Sequence, residues 1–220
     1  MSIRYHNTNV GVTLGSGEGG IGLNFNGGFY LSKGVLVGKE IGHFDNDSAA
    51  YFAPTDDEGS IVKLNTSQPF EIGMLLNFTD ATKVVALCGQ VNSASWGSGN
   101  RAPSIVPSSN GAYCAFAFPG SSGWATILNP LPPSGYALPN NTDIFFKMAW
   151  DGATCSALID DGTNTMTASA AVASLYYNSS NYMVFATQGR YADAVPRWSV
   201  YKLDKLYLKQ NGTLIWGKES

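Results

Sequence analysis

Phe70-Glu71-Ile72-Gly73-Met74-Leu75-Leu76-Asn77-Phe78 decides the fold. Phe70, Ile72, Met74, Leu76 and Phe78 recur at every second position, and Glu71, Gly73 and Asn77 fall between them. Successive side chains of a strand point to opposite faces, so this spacing predicts a long strand with one apolar face. A helix would scatter the same side chains around its circumference. Thr79-Asp80-Ala81-Thr82-Lys83 then reads as a hairpin turn into Val84-Val85-Ala86-Leu87-Cys88.

The same period continues outward from this stretch. Ile144, Phe146, Met148 and Trp150 alternate with Phe145, Lys147 and Ala149, and Asp151-Gly152 turns the chain into Cys155-Ser156-Ala157-Leu158-Ile159. Asp and Gly tolerate the positive φ that tight hairpins need. Asp160-Asp161-Gly162 closes that return strand. Val200-Tyr201-Lys202-Leu203 and Leu206-Tyr207-Leu208 read as one strand whose apolar phase slips, which predicts a bulge near Asp204. Asn211-Gly212 then turns into Thr213-Leu214-Ile215-Trp216. Weaker strand signals lie at 23–25, 29–31, 35–37, 50–53, 61–64, 112–118, 124–128 and 182–187. The one helix-like stretch is 168–177, and two long irregular segments cover 92–111 and 119–141. Ile72, Met74, Phe146, Met148, Trp150 and Leu206 are the expected core.

Composition agrees with many short strands. Charged residues are 13% of the chain, about half the usual share, while Gly numbers 25. The net charge of −3 comes with no basic block, which argues against nucleic acid as a partner. No apolar run reaches the roughly 18 residues of a membrane span, and the first residues lack the apolar core of a signal peptide. Cys88, Cys114 and Cys155 lie in apolar stretches without Cys-x-x-Cys spacing and are expected as buried free thiols. Residues 1–20 read as an N-terminal arm or connector and 21–220 as a single domain.

In order along the chain, the stretches 22–31, 70–80, 145–162 and 200–216 resemble the laminin-G-like branch of the concanavalin A-like lectin/glucanase superfamily. The resemblance implies an all-β fold, a two-sheet antiparallel jelly-roll sandwich. Its members have a concave face and rim loops that often hold sugar or another protein. The fold hosts enzymes, lectins and structural modules alike, so it does not settle function.

Glycosidases of that superfamily carry Glu-x-Asp-x-x-Glu on one strand, because hydrolysis needs two carboxylates flanking the bond. Here Gly73 stands where that motif would place its Asp after Glu71, and no Glu follows on the strand, so no catalytic residue is assigned and no enzyme is expected. His6 and His43 belong to no nucleophile-elbow or zinc pattern. Calcium is the one cofactor for which the loops carry hard oxygen ligands, at Asp45 and Asp47 and at Asp56 and Asp57. Otherwise no metal or cofactor is assigned.

Aromatic and Arg side chains in loops are the remaining binding candidates: Trp96, Arg101, Trp124, Tyr136, Arg190, Tyr191 and Arg197. Trp, Tyr and Arg dominate binding energy at protein surfaces, and flat rings stack on sugars. The expectation is a non-enzymatic virion structural or adhesion protein, such as a bacteriophage tail fibre or capsid decoration. It would be made in the host cytoplasm and contact a host-surface glycan or neighbouring virion subunits, a homo-oligomer included. A stand-alone carbohydrate-binding lectin is the alternative, and a glycan-active hydrolase the more remote one.

Overall fold

The computed structural model describes residues 10–14, 21–25, 30–32, 35–37, 54, 60, 62–78, 80–83, 87–91, 102–107, 114–179, 182–185, 201–217 and 219. Its strands are β1 Val10–Leu14, β2 Ile21–Phe25, β3 Tyr30–Ser32, β4 Val35–Val37, β5 Phe70–Phe78, β6 Cys88–Val91, β7 Ser104–Pro107 and β8 Cys114–Pro119. They continue with β9 Trp124–Leu128, β10 Asp143–Trp150, β11 Thr154–Asp160, β12 Thr165–Ala171, β13 Tyr182–Phe185, β14 Tyr201–Gln210 and β15 Thr213–Gly217. One six-stranded sheet runs β12-β11-β10-β5-β14-β15 and one five-stranded sheet runs β13-β6-β7-β8-β9. Every pairing is antiparallel. The fold is a two-sheet antiparallel jelly-roll sandwich.

The alternation of 70–78 sets the core. Phe70, Ile72, Met74, Leu76 and Phe78 are buried, with the paired inward residues of β10 and β14 on either side. Phe70 meets Phe118 of the other sheet with ring centroids 6.3 Å apart, and Phe78 meets Phe146 edge-on at 6.1 Å. The predicted core residues Ile72, Met74, Phe146, Met148, Trp150 and Leu206 are all buried. Cys88, Cys114 and Cys155 are buried free thiols, and burial pushes those of Cys88 and Cys155 up to about 12.

Of the three predicted hairpins, the two that turn at Asp151-Gly152 and Asn211-Gly212 form as read. The register of β14 on β5 shifts between Leu203 and Lys205, which leaves Asp204 as the extra residue of the bulge. Residues 10–14, read as part of an arm, are a strand paired with β2.

Four local readings are corrected. The segment after β5 does not fold back on it, because β10 and β14 occupy both its edges. The chain makes one 3-10 turn at Ala81–Lys83 and enters the five-stranded sheet as β6. Residues 168–171 belong to β12, hydrogen-bonded along β11, and 172–177 have no regular structure, so the helix is not there. Alanine favours helices, but pairing with an existing sheet edge overrides that weak preference. Within 92–111 the structure places β7, ending at Pro107, and within 119–141 only 129–141 and the turn 120–123 are irregular. Residues 62–64 form no strand, although Leu64 is buried. Residues 50–53 lie outside the described residues.

Phe146 is fully buried between β5 and β11. Phe146→Ala should therefore cost about 3–5 kcal/mol. A denaturant titration showing a loss under about 1 kcal/mol would contradict this assignment of the core face.

Candidate functional site

Antiparallel strands give the sandwich two rims. The β10–β11 turn at Gly152 marks one, and the β11–β12 turn at Gly162 marks the other. The strand rise over β10 separates them by roughly 24 Å, too far for one small ligand to touch both.

At the Gly152 rim, residues 172–179 form a strap. They leave β12, which lies beside β9, and lead towards β13 at the opposite edge of the five-stranded sheet. Because this stretch pairs with no strand, its backbone must find other partners. Val172 N–H donates to Ala153 O at 2.7 Å, Tyr176 N–H donates to Pro119 O at 3.1 Å, and the Thr66 hydroxyl donates to Tyr176 O. Lys63 Nζ donates to Ser179 O at 2.5 Å, and Trp150 Nε1 donates to Val172 O at 2.9 Å. Leu175 points into the core, whereas Tyr176, Tyr177 and Asn178 are half-buried. Trp124, also half-buried, opens β9 opposite Pro119, the residue that accepts from Tyr176. The strap thus brings Tyr176 and Tyr177 to the place where β9 brings Trp124.

Carboxamides complete this rim. Gln210 Nε2 donates to Pro69 O at 2.8 Å and Asn65 O at 3.1 Å, while its Oε1 accepts from Asn65 N–H. Asn211 Nδ2 donates to Gln68 Oε1 at 2.9 Å. The N–H groups of Thr154 and Ala153 lower the Asp151 carboxyl below its ordinary value and close the turn.

At the Gly162 rim the irregular stretch 129–142 is tied down by side chains. Asn140 Oδ1 accepts from Ala81 N–H at 2.7 Å, and Asn141 N–H donates to Phe78 O at 2.7 Å. Tyr136 packs half-buried against the core and donates to Asp161 Oδ2 at 2.9 Å. Burial alone would raise the Asp161 carboxyl. The N–H groups of Asn164 and Thr163, the Asn164 amide and the Tyr136 hydroxyl outweigh it, so the group sits below its ordinary value.

The outward face of the six-stranded sheet carries a third polar group. Tyr207 lies over Gly73, where a Cβ would collide with its ring. Its hydroxyl donates to Glu71 Oε1 at 2.7 Å, and burial followed by this bond pushes it up. Lys209 Nζ stands 2.5 Å from Glu219 and 3.6 Å from Glu71, and these two acids, Glu219 foremost, hold the ammonium above its ordinary value.

Of the residues singled out in the sequence, Trp124 is at the Gly152 rim and Tyr136 at the Gly162 rim, so the two do not converge. Trp96, Arg101, Arg190, Tyr191 and Arg197 lie outside the described residues, as do Asp45, Asp47, Asp56 and Asp57. Among the described residues no group of three His, Cys, Asp or Glu side chains is placed to hold a metal ion. Among the described residues no helix is long and apolar enough to cross a membrane. Tyr176 and Tyr177 were missed because they fall in the stretch read as helix. The signal that was present is Tyr-Tyr-Asn-Ser-Ser following the last alternating residue.

No family model matches the sequence, and no curated protein is similar to it in sequence. Solved structures share its fold. The full-length tailspike protein 2 of an Escherichia coli O157:H7 bacteriophage is similar over 77% of this chain and 22% of its own, at 10% identity and a TM-score of 0.50. Mouse laminin α1 domains LG4-5 are similar over 71% of this chain and 40% of their own, at 12% identity and a TM-score of 0.45. A galectin of Caenorhabditis elegans is similar over 78% of this chain and 96% of its own, at 9% identity and a TM-score of 0.42. The chain thus corresponds to under a quarter of the tailspike and well under half of the laminin fragment. At 10% identity the likeness to the tailspike bears on the fold alone.

The Asp161 geometry makes a pH prediction. A carboxyl lowered by folding contributes stability that is complete above its unfolded value, near 3.8, and is lost as the pH falls through the lower folded value. Asp161→Asn should therefore flatten the acid limb of a stability-against-pH curve. Tyr136→Phe, which deletes one hydrogen bond, should cost about 1 kcal/mol at neutral pH. An acid limb as steep in Asp161→Asn as in the parent would exclude this carboxyl as its source.

Proposed function

We propose that this chain is a non-enzymatic adhesion module of a virus particle, and that its Gly152 rim holds an uncharged glycan of the host surface. The observation carrying this reading is the meeting of Trp124 and Tyr176 at Pro119, with Tyr177 next in the chain and the carboxamides of Asn65, Gln68 and Asn211 on the same rim. Aromatic faces receive the apolar side of a sugar ring, and amides bond its hydroxyls. Lys63 is engaged with Ser179 and Asp151 closes its own turn, so this rim offers a ligand mainly aromatic and amide chemistry. That suits a neutral sugar.

Two observations support the rest of the reading. Glu71, the strand carboxylate nearest in type to a glycosidase residue, is bound by Tyr207 and Lys209, which leaves it poorly placed to donate a proton to a leaving group. A phage tailspike carries this fold over part of its length, so such a jelly roll occurs in a particle protein. The stand-alone lectin uses the same rim and differs only in what the chain is attached to.

A glycan array with Trp124→Ala, Tyr176→Ala and Tyr177→Ala tests the site. Each variant should lose roughly 1–3 kcal/mol of binding, about fivefold or more. Tyr176→Ala should melt near the parent, because Tyr176 joins the strap through its backbone. A parent that binds no glycan and runs as a stable multimer overturns the glycan site and favours subunit assembly. In the same preparation, no reducing ends should appear from β-glucans; release abolished by Glu71→Gln would make the protein a hydrolase.

A further inference from the structure

The β14–β15 turn carries a chemistry independent of any ligand. Asn211 and Gly212 are its two residues, both exposed and both at positive φ, 51° and 75°. Among the described residues this is the Asn-Gly pair; Asn26-Gly27 and Asn110-Gly111 lie outside them. Glycine adds no side chain to shield its backbone nitrogen. That nitrogen is therefore accessible to the carboxamide carbon of the preceding Asn, while a β-substituent at 212 would obstruct it.

The geometry points to Asn211 as a site of spontaneous deamidation, held in check by Gln68. The Gly212 nitrogen attacks Asn211 Cγ and closes a succinimide ring. The Nδ2 group leaves as ammonia, taking the proton that the Gly212 nitrogen gives up. Water then adds to either imide carbonyl, and ring opening leaves Asp or isoaspartate at 211, the latter with an extra backbone carbon.

Two contacts oppose the first step. Asn211 N–H donates to Pro69 O at 2.8 Å, and Asn211 Nδ2 donates to Gln68 Oε1 at 2.9 Å, which pins the carboxamide away from its own backbone. The restraint is local and can open locally. Thr213, Leu214 and Ile215 are exposed, and β15 is the edge of its sheet, held by β14 alone among the described strands. Conversion replaces the donor that Gln68 accepts with a carboxylate, so the product turn cannot re-form the same bond and carries one added negative charge.

Peptide mapping of the intact protein, aged at mildly alkaline pH, tests this. The peptide containing Asn211 should gain the mass of an amide-to-acid conversion and split into Asp and isoaspartate forms. Gln68→Ala should raise the rate about fivefold, the factor that one ordinary hydrogen bond represents. Denaturant should raise it in both proteins and erase the difference between them. An Asn211 peptide that stays unmodified while other Asn peptides convert overturns the proposal. So does an equal rate in parent and Gln68→Ala, with both proteins shown folded by their melting curves.

Discussion

Strand β5 is hydrogen-bonded along its whole length on both edges, to β10 on one side and β14 on the other. Its inward face supplies Ile72, Met74, Leu76 and Phe78 to the core, all fully buried. A slip of one residue would turn each of them outwards and bring Glu71 and Asn77 in. The register of the six-stranded sheet is therefore fixed by the cost of burying those polar groups. The reverse face adds a second constraint: only glycine at 73 leaves room for Tyr207, whose hydroxyl then reaches Glu71. The two rims stand where this register puts them, because the turns at Gly152 and Gly162 follow from where β10 and β11 end.

What the sequence made legible is what period-2 burial controls. Strands β10 and β11 alternate strictly, β5 alternates except at the buried Gly73, and all three form as read, while the phase slip near Asp204 marks a real bulge. What stayed hidden depends on partners far along the chain. Strand β7 follows Pro103 and ends on Pro107, residues that punctuate a sequence as loop, yet Ser104 and Ile105 pair with Ala117 and Phe116. Residues 168–171 carry alanines that suit a helix, and only the edge of β11 makes them a strand. The passage from β5 to β6 crosses between sheets, which local turn chemistry does not encode. The candidate site divides the same way. Trp124 announces itself as a tryptophan after Gly-Ser-Ser-Gly, whereas Tyr176 is positioned by donating its N–H to Pro119 O and accepting from the Thr66 hydroxyl, bonds that no local pattern contains.

The rims also differ in kind. At Gly162 the side chains of Tyr136, Asn140 and Asp161 are spent on holding the loop. At Gly152 the strap is held chiefly by its backbone, and its tyrosine rings are left half-buried at the surface. A rim fastened through main-chain atoms tolerates changes of side chain, so a recognition surface there can vary without loss of the fold.

The pairing of Phe70 with Gln210 has a consequence for biosynthesis. About 140 residues separate them, and at ~5–20 residues per second a ribosome needs roughly 7–28 s to cover that distance. Throughout that interval β5 is a nascent apolar strand with at least one edge unsatisfied, both until β10 is made and then the one that waits for β14. Such an edge is a template for pairing with other chains. The yield of soluble protein should therefore depend on how crowded and how well chaperoned the nascent chains are, as much as on the stability of the finished sandwich.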